Sequence, residues 1–311
     1  MSVPTIDSDE GVLDPWVADW ISEYGAMMEQ PDEPSPEYLA AARMPTCPFP
    51  TRDIAKVTDE VVAGVPIRIY EHDTESTGVL VYFHGGGFCT GSIGLMENVA
   101  TELAVCTGAT VISVEYRLAP EHPYPAGLED CEAVTRWALA NASRFRASPT
   151  GVVVAGESAG GNLAAAVALH LRDTGGPALA AQVLLYPGLD NASTDHPSRR
   201  ECEVFAPKPE AFNRLWAQYS AGQDLDIDPY AAPLQAKTVA GLPPAFVLLG
   251  GADWLRDEGR AYARRLRDEG VAVEEHTCAG QPHGFLNLGF PAAADAYERI
   301  GSWVRAVLAA G

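Results

Sequence analysis

The chain has 311 residues, of which 47% are hydrophobic and 20% are charged, a composition typical of a globular protein. Its formal net charge of −21 at pH 7 argues against nucleic acids and anionic membranes as partners, since binding to either requires a basic surface. We therefore expect neither kind of partner.

The apolar runs, the N-terminal residues and the cysteine spacing indicate where the protein is located and whether it holds disulfides or metals. No apolar run reaches the ~20 residues of a membrane-spanning helix, so no membrane anchor is expected. Residues 1–10 carry three acidic side chains and no basic one, unlike a secretory signal, and we expect a cytoplasmic protein. The six cysteines are scattered without a C-x-x-C pair, so the sequence predicts neither a disulfide framework nor a metal site, and no cofactor is expected.

The chain begins with an arm and a hairpin. Residues 11–44 are predicted to be helical, with a proline-rich break at 31–36. Residues 54–70 alternate apolar and polar side chains around Ala63-Gly64, which predicts an antiparallel hairpin. The arm carries one apolar stripe at helical spacing, formed by Trp16, Val17, Trp20, Ile21 and Tyr24.

Beyond residue 75 the pattern changes to apolar strands that alternate with segments of helical length. This alternation predicts an α/β fold with a mainly parallel, doubly wound sheet. The predicted strands are 79–83, 110–114, 151–155, 182–186, 245–250 and 271–275, and the helices between them include 96–107, 127–140, 159–172 and 257–269.

One interval breaks the alternation. Between Leu189 and Pro244 the chain has a polar loop, a helix over 212–221 and an Asp-Pro-rich return. An insertion at this point emerges beyond the carboxyl ends of the strands, where open α/β sheets bind ligands. We therefore predict a helical cap formed by residues 1–50 and 189–240, over a core formed by 51–188 and 241–311.

The most informative stretch is residues 152–162, which is predicted to be a strand, a sharp turn and a helix. The turn contains a G-x-S-x-G pattern, typical of a nucleophile elbow, in which small flanking residues leave the serine hydroxyl exposed. Ser158 is therefore the candidate nucleophile. An ordinary turn between strand and helix is the alternative.

A second glycine-rich turn follows the strand 79–83 directly, in the run HGGGF at 84–88. Consecutive glycines allow backbone amides to approach a substrate, which is what a developing oxyanion needs, and Ala159 N–H is their natural partner. A flexible turn is the alternative.

A serine nucleophile needs a histidine base and an acid that orients it. His283 is the best base because it lies in a Gly/Pro loop after the last strand, and Asp253 is favoured as the acid because it follows the strand 245–250. Asp257 is the rival acid, explained otherwise by a helix start. Five further histidines have positions more typical of structural or surface side chains: His276, His170, His72, His122 and His196.

Together these segments resemble the hormone-sensitive-lipase-like esterases. The resemblance covers about residues 75–305, in HGGGF (84–88), YRLAPEHPYPA (116–126), GESAGGN (156–162), DWLRDEG (253–259) and HGF (283–285). It implies an α/β-hydrolase fold with a helical cap. It also implies a triad of Ser158, Asp253 and His283 and an oxyanion hole of Gly86, Gly87 and Ala159. The sequence differs from the family pattern at the residue before the nucleophile, which is Glu157 here and usually Asp in the family. The larger cholinesterase-like carboxylesterases share GESAGG but are longer, secreted and disulfide-bonded.

The expected function is serine carboxylic-ester hydrolysis of short-to-medium acyl esters of small molecules. Phe88 and Tyr186 are the expected substrate-binding side chains, and the arm 11–30, with Trp16, Trp20 and Met27, is expected to cover the mouth above Ser158. The alternatives are a catalytically silent small-molecule receptor and a related lyase or amidase on the same scaffold. Because the family often forms dimers, a homodimer is a candidate assembly.

Overall fold

The computed structural model describes residues 11–24, 35–73, 76–148, 150–190, 195–202 and 209–310. Its strands are β1 Lys56–Val62, β2 Val65–Glu71, β3 Val79–Phe83, β4 Thr110–Val114, β5 Val152–Glu157, β6 Ala181–Leu185, β7 Ala245–Gly250 and β8 Val273–Cys278. Its helices are α1 Pro15–Tyr24, α2 Pro36–Ala41, α3 Glu97–Thr107, α4 Ala126–Asn141, α5 Ala159–Asp173, α6 Ser198–Glu201, α7 Pro209–Ser220, α8 Arg256–Asp268 and α9 Ala292–Ala310.

The strands form one sheet in the order β1-β2-β4-β3-β5-β6-β7-β8. The hairpin β1–β2 and the pair β2–β4 are antiparallel, and all other neighbours are parallel. The prediction of a mainly parallel sheet is therefore confirmed. The strand order reverses beside β3, which lies between β4 and β5, and ligand sites of open α/β sheets form beyond the carboxyl ends of the strands at such a switch.

Alternate residues of each strand enter different cores, because side chains of a strand point to opposite faces. In β3, Val79, Val81 and Phe83 join a core built with α4, α5 and α8, whereas Leu80 and Tyr82 join one built with α3 and α9. The sheet is thus covered by helices on both faces, and its central strands are buried along their whole length.

Most predicted elements lie where the pattern placed them, and β3, β4 and β7 have the predicted bounds. The prediction for the last strand was wrong by two residues at its start. Val271 N–H bonds to Leu266 O and thereby closes the end of α8, so the strand begins only at Val273. The long C-terminal helix α9 was not predicted from the sequence, although it packs against α3.

Candidate active site

Ser158 lies in the sharp turn between β5 and α5, with φ 56° and ψ −119°. Non-glycine residues rarely adopt a positive φ, and the turn closes only because its neighbours lack side chains. A Cβ on Gly156 would lie 2.1 Å from Gly160 O, and one on Gly160 would lie 1.9 Å from Phe83 O. The glycines therefore let the helix start against the end of β3, with the serine at the tip of the turn.

The structure brings Ser158, His283 and Asp253 together from the ends of three strands. His283 Nε2 lies 2.8 Å from Ser158 Oγ, and His283 Nδ1 lies 2.9 Å from Asp253 Oδ2. The second oxygen of Asp253 accepts a hydrogen bond from Leu255 N–H at 2.8 Å. A buried carboxylate thus fixes the tautomer in which the other ring nitrogen can accept the serine proton.

The electrostatic surroundings favour a protonated His283 more than its burial disfavours it. Burial lowers the pKa of His283, but the nearby carboxylates of Asp253, Glu157 and Glu258 outweigh it, so that the pKa lies above its ordinary value. An imidazolium formed during a reaction would be stabilised by the same charges.

The rival acid Asp257 lies in the first turn of α8 and has other partners. Its carboxylate accepts hydrogen bonds from Ser198 N–H and from Arg256 Nε, each at 2.9 Å. It therefore ties the start of α6 to the start of α8.

Five of the other histidines also bond elsewhere or lie at the surface, and His84 is buried at the start of the glycine-rich loop. His170 Nδ1 lies 2.7 Å from Glu132 Oε2, and His196 Nε2 lies 2.9 Å from Asp190 Oδ2. The remaining positions are His72 against Ala104 O, His276 in β8 near Asp295, and His122 in an exposed turn.

The glycine-rich loop after β3 runs beside the serine turn. Gly86, Gly87 and Phe88 all have positive φ, and a Cβ on Gly86 would lie 2.2 Å from Thr90 O. Within the described part of the chain, the amides of Gly86 and Gly87 donate no hydrogen bond. The amide of Ala159, in the first turn of α5, has no intrahelical partner either. These amides are the donors that a negative oxygen beside Ser158 could use.

The two predicted substrate-binding side chains, Phe88 and Tyr186, lie in different surroundings. Phe88 stacks on Tyr219 of α7 with ring centroids 3.8 Å apart and lies edge-on to Trp216. Tyr186 has no exposed surface and lies with its ring 5.2 Å from that of His283. Sequence reasoning missed the aromatic face of α7, although its spacing of four and three residues, at Phe212, Trp216 and Tyr219, was the available signal.

The N-terminal arm contacts the loop that follows His283. Trp16 and Trp20 of α1 both lie edge-on to Phe290, and Val17 is buried in the same cluster. Leu39 of α2 instead packs with residues of the glycine-rich loop and α7. Met27 lies outside the described residues, as does the side chain of Tyr24.

The described ranges contain neither a membrane-crossing helix nor a metal-binding cluster. No helix there has the length and apolar character needed to cross a membrane. No group of three or more His, Cys, Asp or Glu side chains there is arranged to hold a metal ion.

Comparison with curated proteins identifies close relatives. The carboxylesterase NlhH of Mycobacterium tuberculosis is 40% identical over 248 residues, which cover 76% of this chain and 77% of that enzyme. The esterase LipI of the same organism is 38% identical over 232 residues, which cover 73% of this chain and 72% of LipI.

Solved structures and a family model agree with these relatives. The esterase of the archaeon Pyrobaculum calidifontis matches with a TM-score of 0.85 at 30% identity, over 95% of this chain and 98% of that one. An α/β-hydrolase enzyme from the metagenome of Lake Arreo matches with a TM-score of 0.86 at 31% identity, over the same shares. The model of the alpha/beta hydrolase fold family matches residues 80–287, which is more than half of the chain. The chain therefore belongs to the α/β-hydrolase family, among its hormone-sensitive-lipase-like carboxylesterases.

Proposed function

We propose that this ester hydrolase is a serine carboxylesterase that cleaves short-to-medium acyl esters of small molecules through an acyl-enzyme on Ser158. The observation that carries the proposal is the continuous hydrogen-bonded chain from Ser158 Oγ through His283 to Asp253, beside backbone amides that find no acceptor among the described residues. A receptor would have no need for an activated serine at this point.

The first half-reaction forms the acyl-enzyme. Ser158 Oγ attacks the carbonyl carbon of the ester while His283 Nε2 takes the hydroxyl proton. The carbonyl π electrons move onto its oxygen, and the amides of Gly86, Gly87 and Ala159 donate to the resulting oxyanion. The tetrahedral intermediate then expels the alkoxy group, which receives the proton from His283 and leaves as the alcohol.

The second half-reaction restores the enzyme. A water molecule attacks the acyl carbon and gives a proton to His283, and the second tetrahedral intermediate uses the same donors. Its collapse breaks the bond to Ser158 Oγ, which regains its proton, and the carboxylic acid leaves. Asp253 remains ionised throughout and holds the ring of His283 by its Nδ1–H.

We also propose that residues 1–50 and 189–240 form a cap that limits the acyl chain, over a core of 51–188 and 241–311. The support is local contact: α7 places Leu215 so close to Gly87 that a Cβ there would lie 2.5 Å from Leu215 Cδ1. Trp216 and Tyr219 of the same helix line the ring of Phe88. Large side chains packed against the glycine-rich loop would restrict the length of acyl chain that can be buried beside it.

The test is covalent labelling with a fluorophosphonate, followed by peptide mass analysis and kinetics on p-nitrophenyl butyrate. The label should appear on Ser158, and Ser158→Ala should lose more than 10³-fold in kcat. Ser113→Ala is the matched control, because Ser113 is a buried serine of β4 whose hydroxyl has no hydrogen-bond partner in the described ranges. Residual turnover by Ser158→Ala within tenfold of the wild type would contradict the proposal.

A further inference from the structure

Glu157, the residue before the nucleophile, is almost fully buried and joins two loops of the active site. Its Oε1 accepts a hydrogen bond from Gly85 N–H at 2.7 Å, at the start of the glycine-rich loop. Its Oε2 accepts one from Asn287 Nδ2 at 3.1 Å, in the turn that follows His283. One carboxylate therefore connects the ends of β3, β5 and β8.

The surroundings of this carboxylate are built to hold it in place. A Cβ on Gly85 would lie 2.8 Å from both carboxylate oxygens of Glu157, so a larger residue there would displace the carboxylate from this position. Asn287 cannot rotate its amide freely, because its Oδ1 accepts a hydrogen bond from Tyr186 OH at 3.0 Å. Its main-chain oxygen accepts another from Asn98 Nδ2 at 2.8 Å. The amide nitrogen of Asn287 must therefore face Glu157.

We propose that Glu157 is a positioning residue for ester hydrolysis, which holds the oxyanion-hole loop and the histidine loop in register with Ser158 and stabilises the protonated form of His283. This inference rests on the proposed function of Ser158 and His283. It also assigns Tyr186 to the support of this network through Asn287, since its side chain is fully buried behind His283.

The role of Glu157 in holding the oxyanion-hole loop in place follows from the geometry of the reaction. The donors of Gly86 and Gly87 follow Gly85 directly, so a shift of Gly85 moves both relative to the tip of the serine turn. A displacement of about 1 Å in such a site costs about 100-fold in rate, because preorganised donors no longer meet the developing charge.

The charge part follows from the groups that face His283. These are the carboxylates of Asp253, Glu157 and Glu258, together with the rings of Tyr186 and Trp254. Burial holds the pKa of Tyr186 well above its ordinary value, so its phenol is neutral. Removing the charge of Glu157 therefore removes one of the three carboxylates that raise the pKa of His283.

The decisive variant is Glu157→Gln in the full chain. The amide oxygen can still accept from Gly85 N–H, but its nitrogen then meets Asn287 Nδ2, donor against donor, and that bond is lost. We expect kcat to fall about 10- to 100-fold with KM changed less than threefold, and the acid limb of the kcat/KM profile to move to lower pH. Glu115→Gln is the matched control, since Glu115 is a half-buried carboxylate that accepts from Ile93 N–H in a neighbouring loop, and it should keep the wild-type limb.

A second variant covers the case in which Glu157→Gln does not fold. Asn287→Ala keeps the carboxylate charge of Glu157 and removes its link to the histidine loop, together with the hydrogen bond that Asn287 accepts from Tyr186 OH. We therefore expect kcat to fall at least fivefold while the acid limb stays at the wild-type pH. The proposal is overturned if kcat is unchanged in either variant, or if the limb of Glu157→Gln stays in place. A wild-type protein that is not labelled at Ser158 would instead refute the proposed function, which keeps the two outcomes distinct.

Discussion

Replacing Asp253 with asparagine tests the arrangement of the site most directly. Leu255 N–H donates to Asp253 Oδ1 at 2.8 Å, and this donor obliges the new side chain to keep its oxygen at that position. The amide NH₂ then takes the place of Oδ2, 2.9 Å from His283 Nδ1, and donates to that nitrogen. The ring is thereby held in the tautomer that carries its proton on Nε2, facing Ser158, and it cannot accept the serine proton.

The size of the loss follows from that inverted tautomer. Losing the base while keeping the oxyanion donors costs about 10³- to 10⁴-fold in kcat, which is ~4–5.5 kcal/mol of transition-state stabilisation. The side-chain volume hardly changes, so the melting temperature should fall by only a few degrees. The assay is kcat/KM on p-nitrophenyl butyrate at pH 8, with circular dichroism as the check on folding.

Asp257→Asn is the matched control, four residues along the chain and equally conservative. Asp257 bonds to Ser198 N–H and Arg256, so its replacement should leave kcat/KM within about fivefold of the wild type. A loss of less than tenfold in Asp253→Asn, or a greater loss in Asp257→Asn, would refute the assignment of the acid.

Three further predictions concern pH, chain length and stability. Because its carboxylate neighbours raise the pKa of His283, the acid limb of wild-type kcat/KM should have its midpoint above pH ~6.5, and a midpoint below this value would contradict the pKa direction. Trp216→Ala should move the preference on p-nitrophenyl esters towards longer acyl chains, by about fourfold in kcat/KM for each further buried methylene (~0.8 kcal/mol), whereas Trp137→Ala on α4 should leave the profile unchanged. Glu269 accepts hydrogen bonds from Thr238 and from two backbone amides, which lowers its pKa from 4.5 to about 2. Its contribution to stability is therefore present above about pH 4.5 and lost as the pH falls towards 2, so the urea midpoint of Glu269→Gln should fall less between pH 5 and pH 3 than that of the wild type.

Local sequence determines the elements of this protein and its reactive turns. The apolar runs at 79–83, 110–114 and 245–250 predict their strands to the residue, because a strand buried on both faces needs a nearly continuous run of apolar side chains. The serine turn and the glycine-rich turn can also be predicted from the sequence. At Gly86, Gly156 and Gly160 another backbone segment lies so close that only glycine fits. The pairing of Asp253 with His283 could be proposed because both follow strands whose carboxyl ends meet at one edge of the sheet.

Tertiary structure alone decides the contacts that have no local pattern. Asn287 is 130 residues from its partner Glu157, and nothing in the turn after His283 marks it as a partner of that carboxylate. The start of β8 depends on how Val271 closes α8, and the arm with Trp16 and Trp20 meets Phe290 only once the loop after β8 has folded. The physical reason is common to these cases: a strand or a tight turn is selected by interactions within a few residues, whereas a hydrogen bond or an aromatic contact between distant segments exists only when the whole sheet sets their distance.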